Sequence, residues 1–164
     1  MKALILAAAL ALISVSGGVF ASESRTTIWL GSNPDIDEAA VMMNRGDFSG
    51  GLVRTKRVIE EQDLHIYDLA AAYNNLCVGN LGLKLYRAAI KACNRALRYR
   101  PGMWQAFNNR GNAYLGMAKY DKAIANYHRA MQARPDLQLI EFNLYLALDA
   151  RQRGIPASVT EQEG

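Results

Sequence analysis

WQAFNNRGNAYLGMAKYDKAIANYHRAMQARPDL, residues 104–137, decides the fold because it is a second copy of the stretch before it. Shifted back by 34 residues it falls on AAAYNNLCVGNLGLKLYRAAIKACNRALRYRPGM, residues 70–103. The two agree at Ala72/Ala106, Asn74/Asn108, Asn75/Asn109, Leu81/Leu115, Gly82/Gly116, Tyr86/Tyr120, Ala89/Ala123, Ile90/Ile124, Arg95/Arg129, Ala96/Ala130, Arg100/Arg134 and Pro101/Pro135. A fixed period of this size marks a stacked-repeat architecture, in which each unit buries its apolar side against its neighbours. Such chains bind other chains more often than they carry out chemistry.

Each unit reads as two helices. Phe107, Tyr114 and Leu115 form one apolar stripe up to Gly116, and Tyr120, Ala123, Ile124, Tyr127, Ala130 and Met131 form a second at steps of three and four. The first helix stops in Gly116–Lys119, Asp121 places negative charge at the start of the next, and Pro135 closes the unit. The pattern predicts helices at Asp35–Arg45, Ser49–Gln62, Ile66–Leu81, Lys84–Tyr99, Trp104–Met117, Asp121–Ala133 and Leu137–Arg153.

Phe107, Gly111, Tyr114, Tyr120, Ala123, Tyr127, Ala130 and Pro135 resemble the signature of the tetratricopeptide repeat. The unit from Ala70 keeps Tyr73, Leu76, Tyr86, Ala89, Ala96, Leu97 and Pro101, and departs at Cys77, Asn80 and Cys93. Residues 35–65 resemble a degenerate third copy: Gly46-Asp47-Phe48 is similar to the turn, Gly51 takes the small position, and Val58-Ile59 close the stripe. Its distance to Tyr86 exceeds the period by four residues, which places an irregular hinge near Asp63–Tyr67. Residues 137–153 make a capping helix without a partner. The resemblance implies an all-α solenoid of antiparallel helix pairs in a short right-handed superhelix, covering residues 35–153.

The family lines a concave groove with the first helix of each pair. In that register Asn75, Asn109 and Asn143 recur at the full period, with Asn74, Asn108 and Asn112 beside them. An amide carries an acceptor and two donors, so such a row is suited to the backbone of an extended peptide; equally, it satisfies neighbouring backbone. The family's carboxylate-binding positions correspond here to Ile36, Ala40, Asn75, Gln105 and Asn109 and lack the cations, so an acidic chain terminus is not the expected ligand. On the last helix, Ile140, Leu144 and Leu148 form the expected packing stripe, and Leu139, Phe142 and Leu146 form a second stripe toward the groove. A partner covers that row, or Thr27-Ile28-Trp29-Leu30 of the extended segment 22–34 does, or it packs in an irregular core.

The two cysteines stand where the other unit has Gly111 and Tyr127, a small and a large residue on facing helices, so a Cys77–Cys93 disulfide is expected in an oxidising compartment. Residues 1–21 read as an export signal, with Lys2 before the apolar run Ala3–Ile13 and cleavage after Ala21; no Cys follows to make a lipoprotein. The expected location is the periplasm, without a membrane span in the mature chain and with a frayed tail at 154–164. The net charge of +4 is distributed over several helices, as on a solvated surface, and argues against nucleic acid. His65 and His128 are isolated and no catalytic, metal or cofactor motif is present. The expected function is therefore non-catalytic binding of a protein or extended peptide. The alternatives are a structural homodimer through the last helix and a small-molecule binder or enzyme on a helical scaffold.

Overall fold

The computed structural model describes residues 33–156. The expected signal, the stretch Thr27–Leu30 and residues 157–164 of the tail lie outside them. The described residues form seven helices and no strand: α1 Pro34–Asn44, α2 Phe48–Glu61, α3 Ile66–Gly82, α4 Tyr86–Tyr99, α5 Trp104–Gly116, α6 Tyr120–Ala133 and α7 Gln138–Gln152. Every expected helix is present, with ends displaced by two residues at most. Each packs on the next along the chain, and the first helices α1, α3, α5 and α7 also pack in sequence on one another.

All four first helices end in the same turn. The N–H three residues past the helix returns to a carbonyl five residues back: Asp47 to Met42 (3.0 Å), Leu85 to Asn80 (2.8 Å), Lys119 to Tyr114 (2.8 Å) and Ile155 to Ala150 (3.1 Å). The residue before each of these donors has positive φ: Gly46 at 89°, Lys84 at 58°, Ala118 at 53° and Gly154 at 61°. The turn therefore tolerates a side chain in the middle units at an energetic cost, since the left-handed region crowds Cβ against the carbonyl.

The four extra residues ahead of Tyr86 do not make an irregular hinge. The connections at 62–65 and 100–103 have equal length, whereas α3 has 17 residues against 13 in α5. The insertion is thus one more helical turn at the start of α3, where His65 Nδ1 accepts from the Tyr67 N–H. A helix absorbs four residues with little change of face because 3.6 residues make a turn.

Small-against-large packing closes each pair. A Cβ on Gly111 would lie 2.5 Å from the Tyr127 ring, so only glycine lets α5 approach α6 there. Tyr127 is fully buried, its hydroxyl donates to Asn112 Oδ1 at 2.8 Å, and burial pushes its pKa well above the usual phenol value. A Cβ on Gly116 would likewise meet the Tyr86 ring at 2.4 Å, which seats the end of α5 on the start of α4. In the preceding pair the equivalent of the Gly111–Tyr127 contact is covalent: Cys77 and Cys93 form a disulfide across α3 and α4, with their Cα atoms 5.3 Å apart.

Two stability changes follow. Cys77→Ala/Cys93→Ala should lower the unfolding free energy by about 3 kcal/mol, because the closed loop restricts the unfolded chain. Reductant should reproduce the loss in the wild type; a urea midpoint indifferent to reductant would show that the bond contributes nothing. Ala118→Gly should raise stability by roughly 0.5–1 kcal/mol, the relief of left-handed strain exceeding the added freedom of the unfolded chain. The urea midpoint should rise with an unchanged slope.

Candidate functional site

The asparagine doublets Asn74-Asn75 on α3 and Asn108-Asn109 on α5 face into the array. Asn109 Nδ2 donates to Asn74 Oδ1 at 3.0 Å, and Asn143 Nδ2 on α7 donates to Asn108 Oδ1 at 2.8 Å. The first amide of one doublet thus accepts from the second amide of the next helix, and the bond repeats along the array. Asn74, Asn75, Asn108, Asn109 and Asn143 have no exposed surface, and Asn112 has 2%. This corrects the expectation that Asn75, Asn109 and Asn143 are laid open along a groove. Asn109 and Asn143 instead join consecutive first helices, and Asn112 holds Tyr127 within a pair.

The α7 stripes are also redistributed. Ile140, Asn143, Leu146, Ala147 and Ala150 are buried, while Leu139 and Leu144 are half-buried against the same core. Leu146 therefore belongs to the packed side, not to an exposed row. Leu148, expected to pack, is 39% exposed, and it stands with Phe142 at 38% and Tyr145 at 64%. These three follow one another at intervals of three residues along one side of the helix.

Residues 104–137 match the family model of the tetratricopeptide repeat. The first TPR domain of the human RPAP3 protein superposes with a TM-score of 0.66 at 17% identity, over 73% of this chain and 91% of that one. The TPR2B domain of yeast Sti1, in a complex with an Hsp70 peptide, gives 0.62 at 18% identity, over 73% and 100%. The second TPR domain of human RPAP3, in complex with an HSP70 peptide, gives 0.61 at 18%, over 70% and 92%. The fold is a tetratricopeptide-repeat solenoid. A search of the curated proteins found no match.

Within the tetratricopeptide register, α7 is a first helix with no second helix after it among the described residues. Phe142 occupies the place of Asn74 and Asn108, so α7 carries the amide donor toward the preceding unit and no acceptor for a following one. Tyr145 occupies the place of Cys77 and Gly111, which meet Cys93 and Tyr127 on the second helices. The apolar row therefore lies where a second helix would pack. Period alignment alone is the signal that finds Tyr145, since its place in the two complete units is always covered.

His65 caps α3 and His128 is exposed on α6. Among the described residues no group of three His, Cys, Asp or Glu side chains is arranged to hold a metal ion, and no helix is long and apolar enough to cross a membrane. The positions Ile36, Ala40, Asn75, Gln105 and Asn109 are all buried at 5% exposure or less and none is cationic.

Asn109→Ala tests the role of the amide bond. Leaving the Asn74 carbonyl and the other partners of Asn109 unsatisfied should destabilise the protein by about 1–3 kcal/mol. In a double-mutant cycle with Asn74→Ala the second substitution should cost much less than it does alone. Additive losses would mean that the two amides are not coupled.

Proposed function

We propose that the chain is a non-catalytic scaffold, exported to the periplasm, that captures a segment of a partner protein at the open α7 end of its helix array. The observation that carries this reading is the row Phe142, Tyr145 and Leu148, left 38%, 64% and 39% exposed where the repeat geometry calls for another helix. An apolar side chain removed from water contributes about 25 cal/mol per Å². Aromatic anchors such as Tyr145 commonly dominate protein contacts.

Three further features support the reading. Structurally similar domains from Sti1 and RPAP3 are seen with Hsp70 peptides. The N-terminal run after Lys2 has the composition of an export signal. The disulfide across α3 and α4 suits an oxidising compartment. Because the amides are internal, affinity would come from the apolar row, and selectivity from the shape of the site that a second helix would otherwise fill.

A photo-crosslinking residue at position 145, in the exported protein, should capture one partner protein, and the same probe at Lys56 on α2 should not. Tyr145→Asp should weaken the purified interaction at least about tenfold with little change in melting temperature. Capture only of a second copy, with a dimer in light scattering that Tyr145→Asp dissolves, would establish self-association instead. Equal capture at both positions would remove α7 as the site. Fractionation that finds the chain in the cytoplasm with its first 21 residues intact would overturn export.

A further inference from the structure

Charge along this sequence is segregated. From Leu69 to Tyr120 there is no Asp or Glu, and from Leu69 to Arg134 eleven Lys and Arg stand against Asp121 alone. The remainder of the chain has eight cations against fourteen carboxylates. Asp121 is itself engaged by Arg151 of α7 at 3.0 Å. The cations lie on different helices, which the sequence suggests is a dispersed arrangement. The fold brings many of them together.

The outer side of α4 exposes Arg87, Lys91, Asn94 and Arg98 at helical spacing, and the facing stripe of α6 holds Lys122, Asn126 and Arg129. Arg110 of α5 joins the two: its Nε donates to Asn126 Oδ1 at 2.8 Å and its Nη1 donates to Asn94 Oδ1. Phe107 carries two guanidinium groups, Arg110 at 5.4 Å and Arg129 at 5.8 Å from the ring centre. Lys122 lies over Tyr114 at 5.7 Å, and Arg95 lies over Tyr73 at 5.2 Å while donating to its hydroxyl at 2.7 Å. Desolvation, with the nearby Arg129 charge acting in the same direction, lowers the Arg110 pKa below the usual guanidinium value, against an opposing pull from Tyr114. Rings and amides thus position Arg95, Arg110, Lys122 and Arg129, none of which pairs with a carboxylate among the described residues, and like charges held this close repel until an anion arrives.

We propose that the α4–α5–α6 face docks an acidic segment of a polypeptide, its carboxylates pairing with Lys91, Arg98, Lys122 and Arg129 along the seam that Arg110 organises. The planar guanidinium fork accommodates a carboxylate through two parallel hydrogen bonds. Single-stranded nucleic acid needs open aromatic faces for its bases, and here Tyr73, Phe107 and Tyr114 are already covered by cations. A bilayer surface favours apolar side chains among the cations. Neither α4 between Arg87 and Arg98 nor α6 between Lys122 and Arg129 exposes a large apolar residue. This surface is separate from the α7 row and goes beyond the scaffold reading built on it.

The test is fluorescence anisotropy of a labelled decaglutamate peptide titrated with the mature chain. The wild type should bind, with affinity falling about tenfold as salt is raised past the point where the screening length drops below 10 Å. Lys91→Glu/Arg98→Glu should lose at least about tenfold in affinity. Lys56→Glu/Arg57→Glu on α2 makes the same change in net charge and should lose less than about twofold. Tyr145→Asp should leave peptide binding unchanged, so failure here is distinguishable from failure of the α7 site. If charge reversal lowers the melting temperature, Lys91→Gln/Arg98→Gln replaces it and should still lose several-fold. Equal losses on α2 and α4, or no binding by the wild type at low salt, would overturn the proposal. Tighter binding of oligothymidine or of phosphatidylglycerol vesicles than of the peptide at equal salt would overturn the assignment to a polypeptide.

Discussion

A side-chain amide enclosed in a packed array must find a partner, and this requirement sets the rise from one repeat to the next. The Asn74–Asn109 and Asn108–Asn143 bonds are buried and nearly equal in length, so neighbouring first helices cannot slide or rotate without leaving an amide unsatisfied. Apolar contacts are tolerant of small shifts; a hydrogen bond of 2.8–3.0 Å is not. The helix pairs have their own closure in Tyr127 against Gly111 and in the Cys77–Cys93 bond. The amides register one closed pair against the next.

That division of roles explains the distribution of exposed surface. Once the amides are enclosed, the inner helices α3 and α5 present little that is both polar and open, and the exposed rows described above lie at the end of the array and on its outer side. The α7 row is apolar, and no second helix covers it among the described residues. The α4–α5–α6 face is cationic because its aromatic rings hold guanidinium groups in place of acidic neighbours. The two surfaces have opposite chemistry and lie on different helices, so the two proposed contacts do not compete for the same side chains.

The helices were legible because their signal is local: a period, a stripe and a turn. The extra turn of α3 was not, since four added residues look alike in sequence whether they lengthen a helix or loosen a hinge. The partners of the amides were hidden for a geometric reason. Aligning units at the period of 34 places Asn109 over Asn75, whereas the bond runs from Asn109 to Asn74, a separation of 35. Equivalence and contact differ by one residue, and only the fold shows which of the two carries the interaction. The side of α7 that packs was obscured because its apolar residues surround most of the helix, so spacing alone cannot choose among Leu146, Leu148 and Tyr145. The cationic face is a property of three helices together, and no window along the chain contains it.

The turn after α7 repeats the backbone of the turns after α3 and α5, with Gly154 at the left-handed position and Ile155 returning to Ala150. The chain at this point is thus already shaped for another second helix, so a tandem duplication of the 34-residue unit joined there would meet a compatible backbone. Two side chains oppose it: Phe142 where an amide acceptor would be required, and Tyr145 where the complete units place a glycine or a cysteine against the second helix. Lengthening the array would then take two exchanges on α7, an asparagine to carry the register onward and a small residue to admit the new helix.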